Sequence, residues 1–193
     1  MNPRTGLILL LLGLVLPGSA YGYSAQQQTS ERLYQAMRDI IAASRDDGAN
    51  QQPDADWLDE MSGRLRSRIP QSDYRKAMLQ ALYQEARLAN LEPELVLAVI
   101  EVESNFDRFA LSHAGARGLM QVMPFWLDTL GNGGDNLFRV RTNLRFGCTI
   151  LRHYLDLENG NLTRALARYN GSLGQTWYPD RVYQSLAERW HPR

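Results

Sequence analysis

The feature that most constrains the fold is the recurrence of apolar residues at helical spacing, in segments interrupted by proline or glycine. Between residues 74 and 89 the apolar positions fall one, three and four apart, which places them on one face of a helix. They are Met78, Leu79, Leu82, Tyr83 and Ala86. No segment shows the sustained alternation with β-branched enrichment that predicts a strand. The sequence therefore predicts a mainly α protein with its core over about residues 70–190.

Start and stop signals divide the chain into further helices. We expect helices at about residues 30–41, 57–65, 74–89, 93–104, 125–130, 140–157, 162–169 and 178–189. Ser72 is predicted to be the N-cap of the third, and Pro93 to open the fourth. A polar linker at residues 46–53 follows the first helix, and a glycine-containing segment at 112–124 precedes the helix at 125–130.

Charge and composition exclude several classes of function. The 193 residues contain 21 Lys+Arg and 21 Asp+Glu, so the chain lacks the basic footprint of a nucleic-acid-binding protein. Its single cysteine, Cys148, excludes a disulfide framework and lies in an apolar stretch, where we interpret it as a small buried hydrophobe. His113, His153 and His191 lack metal-ligand spacing, so we expect no metal site.

Residues 1–20 have the three regions of a cleavable signal peptide: Arg4, an apolar run at residues 6–16, and small residues that end at Ala20. The apolar run is shorter than the roughly 20 residues that a membrane-spanning helix needs. We therefore expect export to the periplasm, cleavage after Ala20 and no integral membrane span after cleavage. An uncleaved N-terminal anchor is the alternative.

One acidic side chain lies in an otherwise apolar helical stripe. Glu103 shares a helix face with three aliphatic residues, whereas Glu101 is rotated about 200° away from it. The aliphatic members are Val96, Val99 and Ile100. A carboxyl group held among aliphatic side chains is desolvated, which raises its pKa and suits it to general acid catalysis. The structural alternative is a carboxylate that faces solvent or pairs with Arg108 or Arg117.

Three motifs occur in order along the chain. They are ESNF at residues 103–106, GARGLMQVMP at 115–124 and ARYNG at 167–171. Together they resemble the catalytic domain of soluble lytic transglycosylases, lysozyme-like enzymes of bacterial peptidoglycan, over about residues 75–190. The resemblance implies a lysozyme-like, goose-type fold in a single domain, residues 71–193. Residues 21–70 have no assigned counterpart in the family, and their helical spacing predicts an N-terminal helical extension.

The resemblance also implies roles for individual residues. Glu103 would be the sole catalytic acid and base. The substrate-binding positions would be Ser112 and Tyr169 near the acid and the reacting sugar, Gln121 and Met123 in the groove lining, and Asn170 in a mainly structural role. The chain departs from the family at residues 171–174, which read GSLG where many members have AGPG. This departure concerns the shape of the groove beyond the tyrosine.

The implied activity is that of a lytic transglycosylase, a carbon–oxygen lyase acting on a polysaccharide. It would cleave the β-1,4 bond between N-acetylmuramic acid and N-acetylglucosamine and release 1,6-anhydromuramyl products, with assistance from the acetamido group of the substrate. This reaction needs no cofactor, and the expected partner is the glycan strand of peptidoglycan. An envelope-spanning secretion or conjugation complex is a further candidate partner.

Two other functions stay open at the level of sequence. A muramidase of the same fold would hydrolyse the bond and would need a second carboxylate to activate water. The candidates for that carboxylate are Asp107, Asp128, Asp135 and Asp180. A wall-docking accessory protein of a secretion, pilus or conjugation machine would use the cleft without catalysis. Residues 21–70 would either pack on the domain or engage such a partner.

Overall fold

The computed structural model describes residues 35, 37–39 and 52–191 of the chain. Within residues 52–191 the α-helices are α1 (Ala55–Leu65), α2 (Ser72–Leu88), α3 (Pro93–Ser104), α4 (Phe125–Leu130), α5 (Val140–Leu157), α6 (Leu162–Asn170) and α7 (Trp177–Ser185). A π-helical turn, Leu186–Trp190, follows α7. Extended pairing in this part of the chain is limited to isolated bridges in the segment between α3 and α4. The prediction of a mainly α fold is confirmed.

The signal-peptide prediction for residues 1–20 lies outside the described residues, as does nearly all of the predicted linker. Of the first predicted helix, Gln35 and residues 37–39 are described, and they are helical. None of the helices of the described residues is long and apolar enough to cross a bilayer.

Most helix boundaries agree with the sequence prediction because the residues at the ends satisfy known capping rules. Pro93 occupies the first turn of α3, where its missing N–H leaves no hydrogen bond unmade. Gly171 ends α6 in the left-handed region with φ of 82°. The prediction for α2 is wrong in one detail. Ser72 is already helical, and the N-cap is Gln71, whose side chain makes no capping hydrogen bond.

The predicted last helix, residues 178–189, is α-helical to Ser185 and then π-helical to Trp190. A π turn holds more residues than an α turn and so changes the direction of the side chains that follow. Trp190 is fully buried, and its indole N–H donates to Glu101 Oε2 at 2.8 Å. The wider turn therefore accompanies the docking of Trp190 against α3.

Helix α3 runs through the centre of the core. Every residue from 95 to 100 is buried, so the helix is apolar all round, as expected for a helix enclosed by others. It packs against α2, α7 and the π turn. Met61 and Leu65 of α1, which fall within the predicted N-terminal extension, are fully buried in the same core. The end of α3, where Glu103 lies, is thus held from several sides.

Candidate active site

The side chains singled out from the sequence line one cavity. This cavity, which we call the acid cavity, has a volume of about 280 Å³. Its lining residues are Glu103, Ser112, Ala114, Ala116, Gln121, Met123, Tyr169 and Asn170. They come from the end of α3, the segment between α3 and α4, and the end of α6. Tertiary packing thus brings the three sequence motifs to one place.

Glu103 is half-buried in this cavity and is held by a tyrosine that the sequence did not identify. Tyr178 Oη donates a hydrogen bond to Glu103 Oε1 at 2.6 Å. Burial raises the pKa of Glu103 to about 7, although the Tyr178 hydrogen bond and the positive charge of Arg181 oppose the rise. The carboxyl group is therefore close to half protonated at neutral pH, which suits both donation and acceptance of a proton.

The alternative partners considered for Glu103 are engaged elsewhere. The Arg108 guanidinium lies over the ring of Phe109, 4.5 Å from its centroid. Arg117 lies over the ring of Phe138 at 5.9 Å. Within residues 52–191, Glu103 makes no salt bridge with either arginine. The observed arrangement is therefore a partly desolvated acid without a directly paired cation.

Glu101, two residues earlier on the same helix, has the opposite environment. It accepts hydrogen bonds from Ser185 Oγ at 2.6 Å, Arg189 Nε at 2.7 Å and Trp190 Nε1 at 2.8 Å. Arg68 donates to its other oxygen. Burial by itself would raise the pKa of Glu101, but these hydrogen bonds and the charge of Arg68 hold the pKa below its usual range. Glu101 is an ionised structural anchor that ties α3 to the C-terminal segment.

The loop that carries the second motif is pinned from both sides. Asn143 of α5 donates from Nδ2 to the carbonyl of Arg117 at 2.7 Å, and its Oδ1 accepts from the amide N–H of Met120 at 2.8 Å. Ser104, next to the acid, donates from Oγ to the carbonyl of Leu119 at 2.7 Å. The loop is therefore fixed relative to α3 as well as to α5.

The close packing of this loop against its neighbours explains why position 118 is a glycine. Gly118 has φ of +74°, and a Cβ atom there would lie 2.5 Å from Asn143 Nδ2 and 2.6 Å from the carbonyl oxygen of Leu137. On the facing helix, a Cβ atom at Gly147 would lie 2.4 Å from Met120 Sδ. Both positions need a residue without a side chain, because the Asn143 side chain and the Leu137 carbonyl at Gly118, and the Met120 side chain at Gly147, already occupy the space that a Cβ atom would take.

Polar groups of the other predicted residues also hold the loop. Ser112 Oγ accepts from the amide N–H of Ala116 at 3.0 Å. Gln121 Nε2 donates to two backbone carbonyls of the same segment. Tyr169 Oη donates to the carbonyl of Met120 at 2.7 Å, and burial, with the charge of Glu103, raises the pKa of this phenol. The Tyr169 hydroxyl thus positions the loop, and the residue also lines the acid cavity.

A second cavity of about 250 Å³, which we call the distal cavity, adjoins the first. The two cavities share Gln121, Met123, Tyr169 and Asn170 as lining residues. The remaining lining of the distal cavity consists of Val122, Phe125, Trp126, Ile150, Tyr154, Arg168 and Gly171. Together the two cavities form a groove with aromatic side chains at one end and the acid at the other.

Glu103 is the one carboxylate among the described residues that line this groove. The four candidates for a second carboxylate, Asp107, Asp128, Asp135 and Asp180, are absent from both linings. The described part of the chain also contains no cluster of three or more His, Cys, Asp or Glu residues that could hold a metal ion. Cys148 is fully buried, as the sequence predicts.

Sequence reasoning missed Tyr178 and Asn143. Asn143 could have been found, because it is a polar residue on the apolar face that also carries Phe146 and Ile150 at helical spacing. The same reasoning selected Glu103. Tyr178 gave no such signal, since an aromatic residue in an amphipathic helix is expected to be core.

Comparison with known proteins gives a consistent result. The sequence profile of the family described as "Transglycosylase SLT domain" matches residues 80–189. A protein named transglycosylase from Enterobacteria phage PRD1 is 35% identical over 104 residues, which cover 50% of this chain and 38% of the phage protein. The membrane-bound lytic murein transglycosylase C of Cronobacter sakazakii is 30% identical over 107 residues, which cover 47% of this chain and 30% of that protein.

Similar solved structures include that of an inactive mutant of the lytic transglycosylase Slt from Pseudomonas aeruginosa. It is 29% identical, covers 62% of this chain and 19% of that chain, and has a TM-score of 0.45. The chain thus spans less than two fifths of the length of each of these relatives. The family profile itself matches more than half of the chain, and the protein therefore belongs to the transglycosylase SLT domain family.

Proposed function

We propose that this protein is a lytic transglycosylase that cleaves the glycan strands of peptidoglycan. The observation that carries the proposal is Glu103, an acid with a pKa of about 7 at the end of a buried helix, in a groove lined by no other carboxylate among the described residues. Membership of the transglycosylase SLT domain family and the names of the relatives support the same activity.

In the first step, protonated Glu103 donates its proton to the glycosidic oxygen between N-acetylmuramic acid and N-acetylglucosamine. The bond from this oxygen to the muramyl anomeric carbon breaks as the acetamido oxygen of the same sugar attacks that carbon. An oxazolinium ion forms, so the substrate supplies the nucleophile that a second carboxylate supplies in most retaining glycosidases. The Tyr178 hydroxyl stabilises the Glu103 carboxylate produced in this step.

In the second step, ionised Glu103 removes the proton from the 6-hydroxyl of the muramyl sugar. The 6-oxygen then attacks the anomeric carbon, the oxazolinium ring opens, and a 1,6-anhydromuramyl end is released. No water enters the products, and Glu103 returns to its protonated state. A pKa near neutrality favours both steps, because the same group must be an acid and then a base.

The hydrolytic alternative has less support. An inverting hydrolase needs a second carboxylate across the scissile bond, at roughly 6.5–9.5 Å, to activate water. The described groove lining offers none. The wall-docking alternative has no specific observation in its favour, because a docking surface gains nothing from a desolvated acid that carries a destabilising burial cost.

We further propose that the protein is exported to the periplasm by a cleavable signal peptide, where peptidoglycan lies. Residues 71–193 would form the catalytic domain and residues 21–70 an extension, part of which packs on the core through Met61 and Leu65. In the groove, Tyr169 and Met123 would contact the sugar, while Ser112, Gln121 and Asn170 would shape its walls. An envelope-spanning secretion or conjugation complex is the partner proposed for the extension.

The deciding experiment is mass spectrometry of the muropeptides that the purified protein releases from purified peptidoglycan. We expect products lighter by one water than reducing muropeptides, and none from a folded Glu103→Gln variant. The matched control is Glu92→Gln, which neutralises a largely exposed acid at the other end of α3. This variant should release wild-type products. Reducing ends would refute the proposed reaction, and strong activity of Glu103→Gln would refute the assignment of the acid.

A further inference from the structure

The distal cavity carries a cation that the proposed reaction does not use. Arg168 lies on the last turn of α6 and is the one charged residue among the described residues that line this cavity. The guanidinium donates from Nε to Glu158 Oε1 at 2.7 Å and also from Nη2 to the same oxygen. Its Nη1 makes no hydrogen bond with another described residue, so the guanidinium keeps donors available for a ligand.

Arg168 is held in place by an acid that is shared with a second arginine. Glu158 is buried and also accepts a hydrogen bond from Arg164 Nε at 2.5 Å. One carboxylate between two guanidinium groups leaves the trio with a net charge of +1. Because the pair with Glu158 already orders the long Arg168 side chain, less conformational entropy is lost when a ligand binds.

The charge of this cation is complementary to the charge that the proposed substrate carries. Hydroxyl and acetamido groups of the glycan backbone are neutral, and its anionic groups are carboxylates on the muramyl substituent. The distal cavity shares Tyr169 and Asn170 with the acid cavity, so it adjoins the part of the groove that Glu103 lines. Phe125, which is 53% exposed at the same cavity, offers an apolar face on which a sugar ring can pack.

We propose that Arg168 binds a carboxylate of the muramyl substituent and so makes the groove prefer charged over neutral glycan. The carboxylate belongs either to the lactyl group itself or to the peptide stem attached to it. An arginine is suited to this task because its planar fork can donate two parallel hydrogen bonds to a carboxylate. This inference rests on the proposed function, since it concerns recognition of the same substrate.

The test measures ligand affinity by calorimetry in the Glu103→Gln background, so that no ligand is consumed. Three ligands are compared: a neutral chitin oligosaccharide, glycan strands stripped of peptide and bearing the free lactyl carboxylate, and strands with intact stems. Adding Arg168→Gln should weaken binding of a carboxylate-bearing ligand about tenfold more than binding of the chitin oligosaccharide. Arg168→Lys keeps the positive charge but loses the planar fork, so its affinity for carboxylate-bearing ligands should lie between that of the protein with Arg168 and that of Arg168→Gln.

Arg164→Gln is the matched control, because Arg164 shares Glu158 with Arg168 but does not line the cavity. It should change all three affinities to the same small extent. A selective loss on stripped strands identifies the lactyl carboxylate, and a selective loss on stem-bearing strands alone identifies the stem. Equal losses on all three ligands, no loss with Arg168→Gln, or the same selective loss with Arg164→Gln would overturn the inference. Failure of the proposed function would be seen separately, as the absence of anhydro products from wild-type protein.

Discussion

Tyr178 and Glu103 are 75 residues apart in the chain, and a hydrogen bond of 2.6 Å joins the phenol to the carboxyl group. Tyr178 is fully buried on α7, which packs against α3, the helix whose last turn carries Glu103. The phenol itself has a pKa well above its usual value because of burial and the neighbouring Glu103. It therefore stays protonated and can donate to Glu103 throughout the working pH range.

This hydrogen bond should tune the pH dependence of the reaction. It lowers the pKa of Glu103 against the effect of burial, so Tyr178→Phe should raise that pKa further. The protonated acid would then persist to higher pH, and the alkaline limb of the pH–rate profile should shift to higher pH. We also expect turnover to fall about tenfold, because the ionised form needed in the second step is less stable.

The matched control is Tyr183→Phe on the same helix, where the hydroxyl is bonded to Thr163 at 2.9 Å. This variant should keep the wild-type pH profile. An alkaline limb that stays in place in Tyr178→Phe would show that the phenol does not act on the ionisation of Glu103.

Ionisation of Glu103 should destabilise the folded protein. Its pKa is about 7 in the folded protein against 4.5 for a free glutamate side chain, a difference that corresponds to roughly 3 kcal/mol. Because the folded pKa is the higher one, this stability is present below pH 4.5 and is lost as the pH rises through about 7. Glu103→Gln cannot ionise and avoids this loss.

The measurement is urea unfolding of wild type and Glu103→Gln at pH 4 and pH 8. The two proteins should have similar free energies of unfolding at pH 4, and the variant should be more stable by about 2–3 kcal/mol at pH 8. A constant difference at both pH values would contradict the burial of this acid.

Glu101→Gln should have the opposite signature, although it lies only two residues away. Its side chain is 9% exposed and pairs with Arg68 and Arg189, which are 27% and 40% exposed. Allowing for that exposure of the partners, we expect a loss of about 2 kcal/mol at pH 7. The folded pKa is lowered, so this contribution is present above the unfolded pKa and disappears as the pH falls through the folded one.

Urea unfolding across acidic pH checks this expectation. The stabilities of wild type and Glu101→Gln should converge as the pH is lowered, whereas those of wild type and Glu103→Gln should diverge as it is raised. A variant as stable as wild type at pH 7 would show that the Glu101 anchor contributes nothing to the fold.

The loop beside the acid should depend on the missing side chain at Gly118. Gly118→Ala adds a Cβ atom that meets Asn143 and Leu137 at 2.5 and 2.6 Å, at a positive φ. We expect a loss of about 2–3 kcal/mol and lower activity, because the loop must move away from α5. Gly115→Ala is the control, since it has φ of +88° with no heavy atom within 4 Å of the added Cβ.

In Gly115→Ala only backbone strain destabilises the fold, so we expect its free energy of unfolding to fall by about 1 kcal/mol. Thermal unfolding and muropeptide release, measured on both variants, separate strain from steric overlap. Equal destabilisation by the two substitutions would mean that the close approach to α5 does not constrain the loop.

Much of the secondary structure could be predicted because it depends on residues close in sequence. The boundaries of α3, α4 and α5 follow from apolar spacing and end signals. Where the prediction was wrong, at the N-cap of α2 and in the π turn after Ser185, packing decided the outcome. The carbonyls of Ile69 and Pro70, just before α2, accept hydrogen bonds from the buried Arg75. Trp190 is buried in the core.

The sequence by itself determined a helical protein with one acid on an apolar face, since both follow from the period of 3.6 residues within a single helix. Only the tertiary structure decided that Glu103 is held by Tyr178, that Asn143 clamps the neighbouring loop, and that Arg168 lies in the same groove. These contacts join segments tens of residues apart. Their geometry depends on how whole helices pack, which no local pattern encodes.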